Sequence, residues 1–178
     1  MKHSLYVLSL LIFLGCHDTI THSINPNRYC SAKLNGEVWE SETFFTRKSS
    51  DIDSLLFSFV YYSSPHIIGE KLLLFNVPMQ VGRYTIQYTH LHNRHSVIGS
   101  GYQIFVGHGD VLGQQYYVQE NSDKNWVEIT SIVTENNKIK LSGLFQIQLT
   151  IDSLNGKQLD WVPDTLSFTT GEFVSFEL

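Results

Sequence analysis

Three histidines, His90, His92 and His95, form the one group in the chain whose residue type and spacing suit metal ligation. His90 and His92 stand two apart at an expected strand end, so both imidazoles project from one face, about 6.6 Å apart at the backbone. Two rings at that separation can converge on one ion through Zn–N bonds of about 2.0–2.1 Å, with His95 reaching in from the Asn93-Arg94 turn. His108 or Asp110 would supply a fourth ligand. Arg94 opposes a cation, however, and a loop does not hold three rings ready. The favoured reading is a solvated strand end with Leu91 facing the core, and neither a metal nor any other cofactor is expected.

Nucleophilic and phosphate chemistry find little support. No Gly-x-Ser-x-Gly elbow is present, and Gly99-Ser100-Gly101 reads as a turn that opens a strand. The glycine-rich Gly107 to Gly113 lacks the lysine and the following helix of a phosphate-binding loop. Asp51-Ile52-Asp53 resembles the opening of a calcium loop, but the glycine and distal glutamate do not follow. Glu128, Glu120 and Asp110 are surface acids whose spacing shows no catalytic pair. No enzymatic activity is expected. Binding is better served: Tyr61-Tyr62 and Tyr116-Tyr117 place neighbouring tyrosines on opposite faces of a strand, so one of each pair should point outward. An outward tyrosine can stack on a sugar or anchor a protein partner.

The frame around these residues is that of one globular domain. The chain has 178 residues, 42% of them hydrophobic, which excludes disorder for most of its length. Only 12 lysines and arginines in a chain of net charge −5 argue against nucleic acid as a partner. Two cysteines are too few for a disulfide framework.

At the start, a short basic segment precedes an apolar run from Leu5 to Leu14, half the roughly 20 residues that a helix needs to cross a bilayer. It reads as a secretory signal over residues 1–15. Phe13-Leu14-Gly15-Cys16 resembles the bacterial lipobox, which implies cleavage before Cys16 and lipid attachment at that cysteine. Residues 16–28 are then the lipidated N-terminus and a polar tether, and 29–178 a single domain. Cys30, left without a partner, is expected as a small buried hydrophobe in the first strand.

From Tyr29 the pattern is strand after strand. Asn35-Gly36 between alternating segments is a hairpin signal, because a type I′ turn needs positive φ at both central residues. Trp39 should bury its indole and find one partner for its N–H. Further strands are expected at Ser54–Tyr62, Lys71–Val77, Gly82–Tyr88, Tyr102–Val106, Gln115–Gln119, Trp126–Val133 and Lys138–Ile151. The chain should close with a hairpin around Thr170-Gly171. The expectation is an all-β domain: an antiparallel sandwich of about nine or ten strands with long crossings, or alternatively a closed or partly open barrel.

The order of these motifs carries a resemblance. A lipobox is followed by Ala32-Lys33-Leu34-Asn35-Gly36-Glu37-Val38-Trp39, a Gly82-Arg83-Tyr84 strand, Leu141-Ser142-Gly143-Leu144-Phe145, and Ser167-Phe168-Thr169-Thr170-Gly171-Glu172-Phe173. In this order the chain resembles a family of uncharacterised lipoproteins of the Bacteroidota, classed as a domain of unknown function. The resemblance implies a cell-envelope location. His17 after Cys16, in place of aspartate, favours the outer membrane by similarity to lipoprotein sorting rules. The expected role is a non-catalytic module that binds a ligand, with carbohydrate or an envelope protein as partner. The alternatives are a structural subunit of an envelope complex, or a metal-binding or hydrolytic protein. Cys16→Ser should abolish labelling by a fatty-acid analogue in cells, and equal labelling of both forms would remove the anchor.

Overall fold

A computed structural model describes residues 25–48, 51–88, 97–119, 123–152 and 158–177. Cys16, Glu120 and the His90, His92 and His95 group lie outside the described residues. The elements are all strands: β1 (Tyr29–Leu34), β2 (Glu37–Lys48), β3 (Asp51–Ser64), β4 (Ile67–Pro78), β5 (Gly82–Thr85), β6 (Gly99–Val106), β7 (Val111–Val118), β8 (Trp126–Glu135), β9 (Lys138–Ile151) and β10 (Thr165–Phe176).

Local chemistry explains the tight turns. Asn35 and Gly36 both have positive φ, at 51° and 94°, as the turn between β1 and β2 demands. Asn136 and Asn137 do the same between β8 and β9, at 50° and 61°. Asparagine tolerates this region better than other residues with a Cβ. The turn at Asn35 is also stitched across the sheet: Asn35 Oδ1 accepts from the Ser167 backbone N–H at 2.8 Å, and Asn35 N–H donates to Ser167 O at 2.9 Å.

The strands pair antiparallel in the order β10-β1-β2-β3-β4-β6-β7-β9, and β9 pairs back onto β10, which closes a ring of eight. Of the two expected arrangements, the closed barrel is the one formed. Strands β1 to β4 run as a plain meander; the turn before Ile67 is only Pro65-His66, not a long crossing. Gly99-Ser100-Gly101 lies within β6 and is not a turn. β9 makes the closure. One of its edges pairs with β10 from Lys140 to Thr150. The other pairs with β7 at Leu149–Ile151 and with β8 from Lys138 to Gln146, and β5 extends the sheet beyond β8.

The expected terminal hairpin is instead one continuous strand. Phe168 opposes Ile147 and Gly171 opposes Phe145, so an extra residue sits in β10. The ladder with β1 slips at the same place, between Ser31 and Lys33. Thr170 takes φ of 50°, which a β-branched residue rarely adopts. A bulge of this kind bends and twists its strand, which a small barrel needs in order to close.

An eight-stranded barrel has an interior just wide enough for side chains to fill. Here aromatic rings fill it. Phe57 and Phe173 stand 5.1 Å apart, Phe59 and Phe145 5.4 Å, Tyr102 and Phe168 5.4 Å, mostly edge-to-face or tilted. Glycines on the neighbouring strand make the room. A Cβ on Gly143 would stand 2.5 Å from Phe173 Cζ, and one on Gly171 would stand 2.6 Å from Phe145 Cζ. In both cases the glycine is the cross-strand partner of the ring that covers it.

Gly171→Ala should therefore overpack the barrel and cost about 1–3 kcal/mol. That lowers the melting temperature by roughly 2–4 °C per kcal/mol. Phe145→Leu in the same chain should recover part of the loss, because the three atoms nearest to a Cβ at 171 all belong to the Phe145 ring. Strictly additive thermal shifts would separate the glycine from the ring.

Candidate functional site

The strand directions sort the loops into two ends. At one end lie the turns after β1 and β3, the turn after β6, and the β9–β10 connection, whose described part is residues 158–164. The chain enters β1 at the opposite end, where Tyr29 pairs with Glu42 and Val174. The first end is called the mouth here.

Part of the mouth is plugged. Val162 is buried and Leu159 packs against the core. Gln114 Oε1, on β7, accepts from the backbone N–H groups of Gln158 and Leu159 at 2.8 and 3.3 Å. The Tyr116 hydroxyl donates to Pro163 O at 2.7 Å. These bonds tie the connection to the β7 side of the barrel.

On the β2–β3–β4 side the inward-facing positions become polar. Along β4 the inward register passes from Leu74 and Leu72, both buried, to the half-buried Glu70. Along β3 it passes from Phe57 and Phe59 to Tyr61, which is 40% exposed. Tyr61 and Glu70 are cross-strand partners. Trp39 lies beneath, 5% exposed, and its indole Nε1–H donates to Glu70 Oε2 at 2.6 Å. That is the single partner expected for its N–H.

Tyr102 completes the group from β6. Its ring packs on Phe168, Tyr116 and Trp39, and the residue is 1% exposed. Burial first, and the negative charge of Glu70 second, push its hydroxyl far above the usual tyrosine range. The hydroxyl feels the carboxylate, yet it makes no hydrogen bond of good geometry. Glu70 itself has no ion pair among the described residues.

Other residues singled out in the sequence find different settings. Tyr116 and Tyr117 are both buried, so neither points to solvent as expected. His108 and Asp110 lie in the turn after β6. Glu128 pairs with Arg83 at 2.7 Å, and the Arg83 guanidinium lies 3.9 Å over the Trp126 ring, a sheet-stabilising arrangement. Cys30 is fully buried beside Ser41, and burial drives its thiol well above the ordinary range, which keeps it unreactive. Among the described residues no group of three His, Cys, Asp or Glu side chains could hold a metal ion. Glu70 was not singled out in the sequence. Its signal was there: it falls in the inward phase of β4, but the unbroken run Leu72-Leu73-Leu74-Phe75 hides that phase.

No protein-family model, curated protein or solved structure matches the chain.

The buried tyrosines make stability sensitive to alkali. Burial pushes the Tyr116 hydroxyl up to about 12 from 10.0, so the folded state holds a proton that the unfolded state releases. A raised folded value gives stability that is full below about pH 10 and declines as pH rises towards 12. Chemical denaturation across that window should show the decline, and Tyr116→Phe should reduce its slope, the remainder coming from Tyr102 and Cys30, whose values burial also raises. An equal slope in the variant would assign the effect elsewhere.

Proposed function

We propose that this protein is a membrane-tethered envelope lipoprotein whose barrel mouth binds a small polar ligand without chemical turnover. The observation that carries the reading is the set of polar groups converging on the mouth: a half-buried carboxylate with no counter-ion among the described residues, a partly exposed tyrosine, and a buried hydroxyl that makes no hydrogen bond of good geometry among them. Buried polar groups are normally satisfied, so such a set on an otherwise apolar wall is the usual composition of a ligand site. Ligands of small barrels enter at such mouths. Envelope carbohydrate suits the set, because Tyr61 offers a stacking face and Glu70 accepts from hydroxyl groups.

The arrangement of ends supports the same reading. A lipid on Cys16 would hold the domain by residues 16–28, of which 25–28 form a turn against β2, so that the stretch from 16 to 24 spans about 30 Å at most. The tether enters at Tyr29, and β1 then carries the chain about 20 Å to the mouth. The anchor would therefore join the barrel at the end opposite the mouth and leave the mouth uncovered.

Protein docking is the second reading, and one observation favours it. Val38, Trp161, Val111 and Leu112 are all exposed and all belong to the mouth end, with Trp161 72% exposed. A partner could seat on this rim.

Screening neutral and amino sugars by thermal shift against the full-length chain tests the ligand reading. At least one sugar should raise the melting temperature, and Tyr61→Ala should cancel the rise while leaving the unliganded stability within about 0.5 kcal/mol of the parent. If no sugar gives a rise, or Tyr61→Ala leaves it intact, the mouth is not the site.

A further inference from the structure

We propose that the mouth recognises a primary ammonium group, with the Glu70 carboxylate as its counter-ion and the Tyr102 hydroxyl as a second acceptor. The inference rests on the reading of the mouth as a ligand site and names the chemistry that the site selects.

The argument starts from charge. Glu70 is half-buried; among the described residues the neutral indole N–H of Trp39 donates to it at 2.6 Å, with the Tyr102 hydroxyl nearby. Most carboxylates turned towards a protein interior are paired with a cation or held by several donors. Glu70 has neither among the described residues. A ligand that covers it removes more of its water. A neutral ligand offers only hydroxyl hydrogens in exchange, whereas an ammonium offers charge-assisted bonds, which are about twice as strong.

The second observation is the hydroxyl that lies beside that charge. Tyr102 is 1% exposed, and its hydroxyl lies close to Glu70 and Tyr61 without a hydrogen bond of good geometry among the described residues. A buried hydroxyl left poorly matched is destabilising, because its hydration is lost without a full replacement. An ammonium carries three donors, enough to bond the carboxylate and the Tyr102 oxygen together. Tyr61, 40% exposed above them, adds a ring face that attracts a cation.

Trp39 is a positioning residue here. Its ring is held edge-on against Phe168 at 5.1 Å, so its N–H fixes the direction in which the carboxylate presents its free oxygen. The net charge of −5 favours approach of a cation over an anion. A single carboxylate falls short of the six to eight oxygens that calcium takes, so a metal ion is not the expected occupant.

Two sources present this chemistry, an amino sugar and a simple alkylamine. Titrations of the full-length chain in detergent separate them. The probes are glucosamine, N-acetylglucosamine, butylamine and calcium, read by calorimetry and by the Trp39 indole N–H resonance. Glucosamine should bind about tenfold or more tightly than N-acetylglucosamine, shift that resonance, and weaken with added salt. Butylamine matching glucosamine would assign recognition to the ammonium alone, and a much weaker butylamine would assign it to an amino sugar; both support the proposal. Glu70→Gln should bring glucosamine down to the level of the N-acetyl form. Equal binding of the two sugars by the parent chain would overturn the ammonium while leaving a carbohydrate site in place. Binding of calcium in place of the amines would overturn it too. Absence of binding by every probe would remove the ammonium site, and if the sugar screen is also blank, the mouth as a ligand site goes with it.

Discussion

The structure depends on one steric exchange across the β9–β10 ladder. Two positions on facing strands give up their side chains so that two phenylalanine rings can lie flat against bare backbone. Gly143 takes Phe173, and Gly171 takes Phe145. The exchange places the bulkiest part of the core at the seam where the ring of strands closes. β10 can then curl, through the bulge at Thr170, and serve both β9 and β1. Without the glycines the rings would prop the two strands apart, and an open sheet with two exposed edges would be the outcome. The positive φ of Thr170 is a cost accepted for that curvature, about 1–2 kcal/mol for a residue with a Cβ.

A core packed with rings at one level determines what the other levels can hold. Ser41, Thr43 and Ser175 occupy inward positions towards the end where the chain enters, with Ser175 Oγ donating to Thr43 O at 3.2 Å. Small hydroxyl residues there leave volume for Phe57 and Phe173. Towards the mouth the rings continue as Trp39, Tyr102 and Tyr116, whose polar atoms sit at the upper edge of the aromatic stack. Tyr116 spends its hydroxyl on the plug at Pro163, and Trp39 spends its N–H on Glu70. Tyr102 is the member of the three left unspent. The polar mouth is thus the upper boundary of the same aromatic column, and its chemistry is a consequence of how the column ends.

Much of the architecture was legible from local chemistry. Asn35-Gly36 announced its turn because positive φ is a property of a dipeptide, and β9 was readable at its full extent, Lys138–Ile151. Local pattern stopped being informative where pairing is long-range. Alternating inward and outward residues look the same in a sandwich and in a barrel, and the difference lies in whether β9 and β10 share an edge. Thr170-Gly171 misled for a related reason: residues that favour left-handed backbone serve a bulge inside a strand as well as a turn between two strands. Tyr116-Tyr117 misled because the outer face of β7 is itself covered, so strand periodicity did not become exposure.

The candidate site was less legible still, and the reason is physical. Glu70 has an unremarkable neighbourhood in the chain, Gly69 before it and Lys71 after it. What makes it unusual is that the inward phase of β4, fixed by Leu72 and Leu74 within the aromatic core, carries it into the mouth opposite Trp39. Strand period two then leaves no freedom: if Leu72 points in, Glu70 points in. The core therefore dictates the position of the charge, and the charge is placed where a compensating cation is missing among the described residues. A leucine at 70 would extend the apolar column and need no partner, and Trp39 N–H would be the group left unsatisfied. Retaining the acid satisfies the indole and leaves the unmet electrostatic demand on the surface side, where a ligand can reach it.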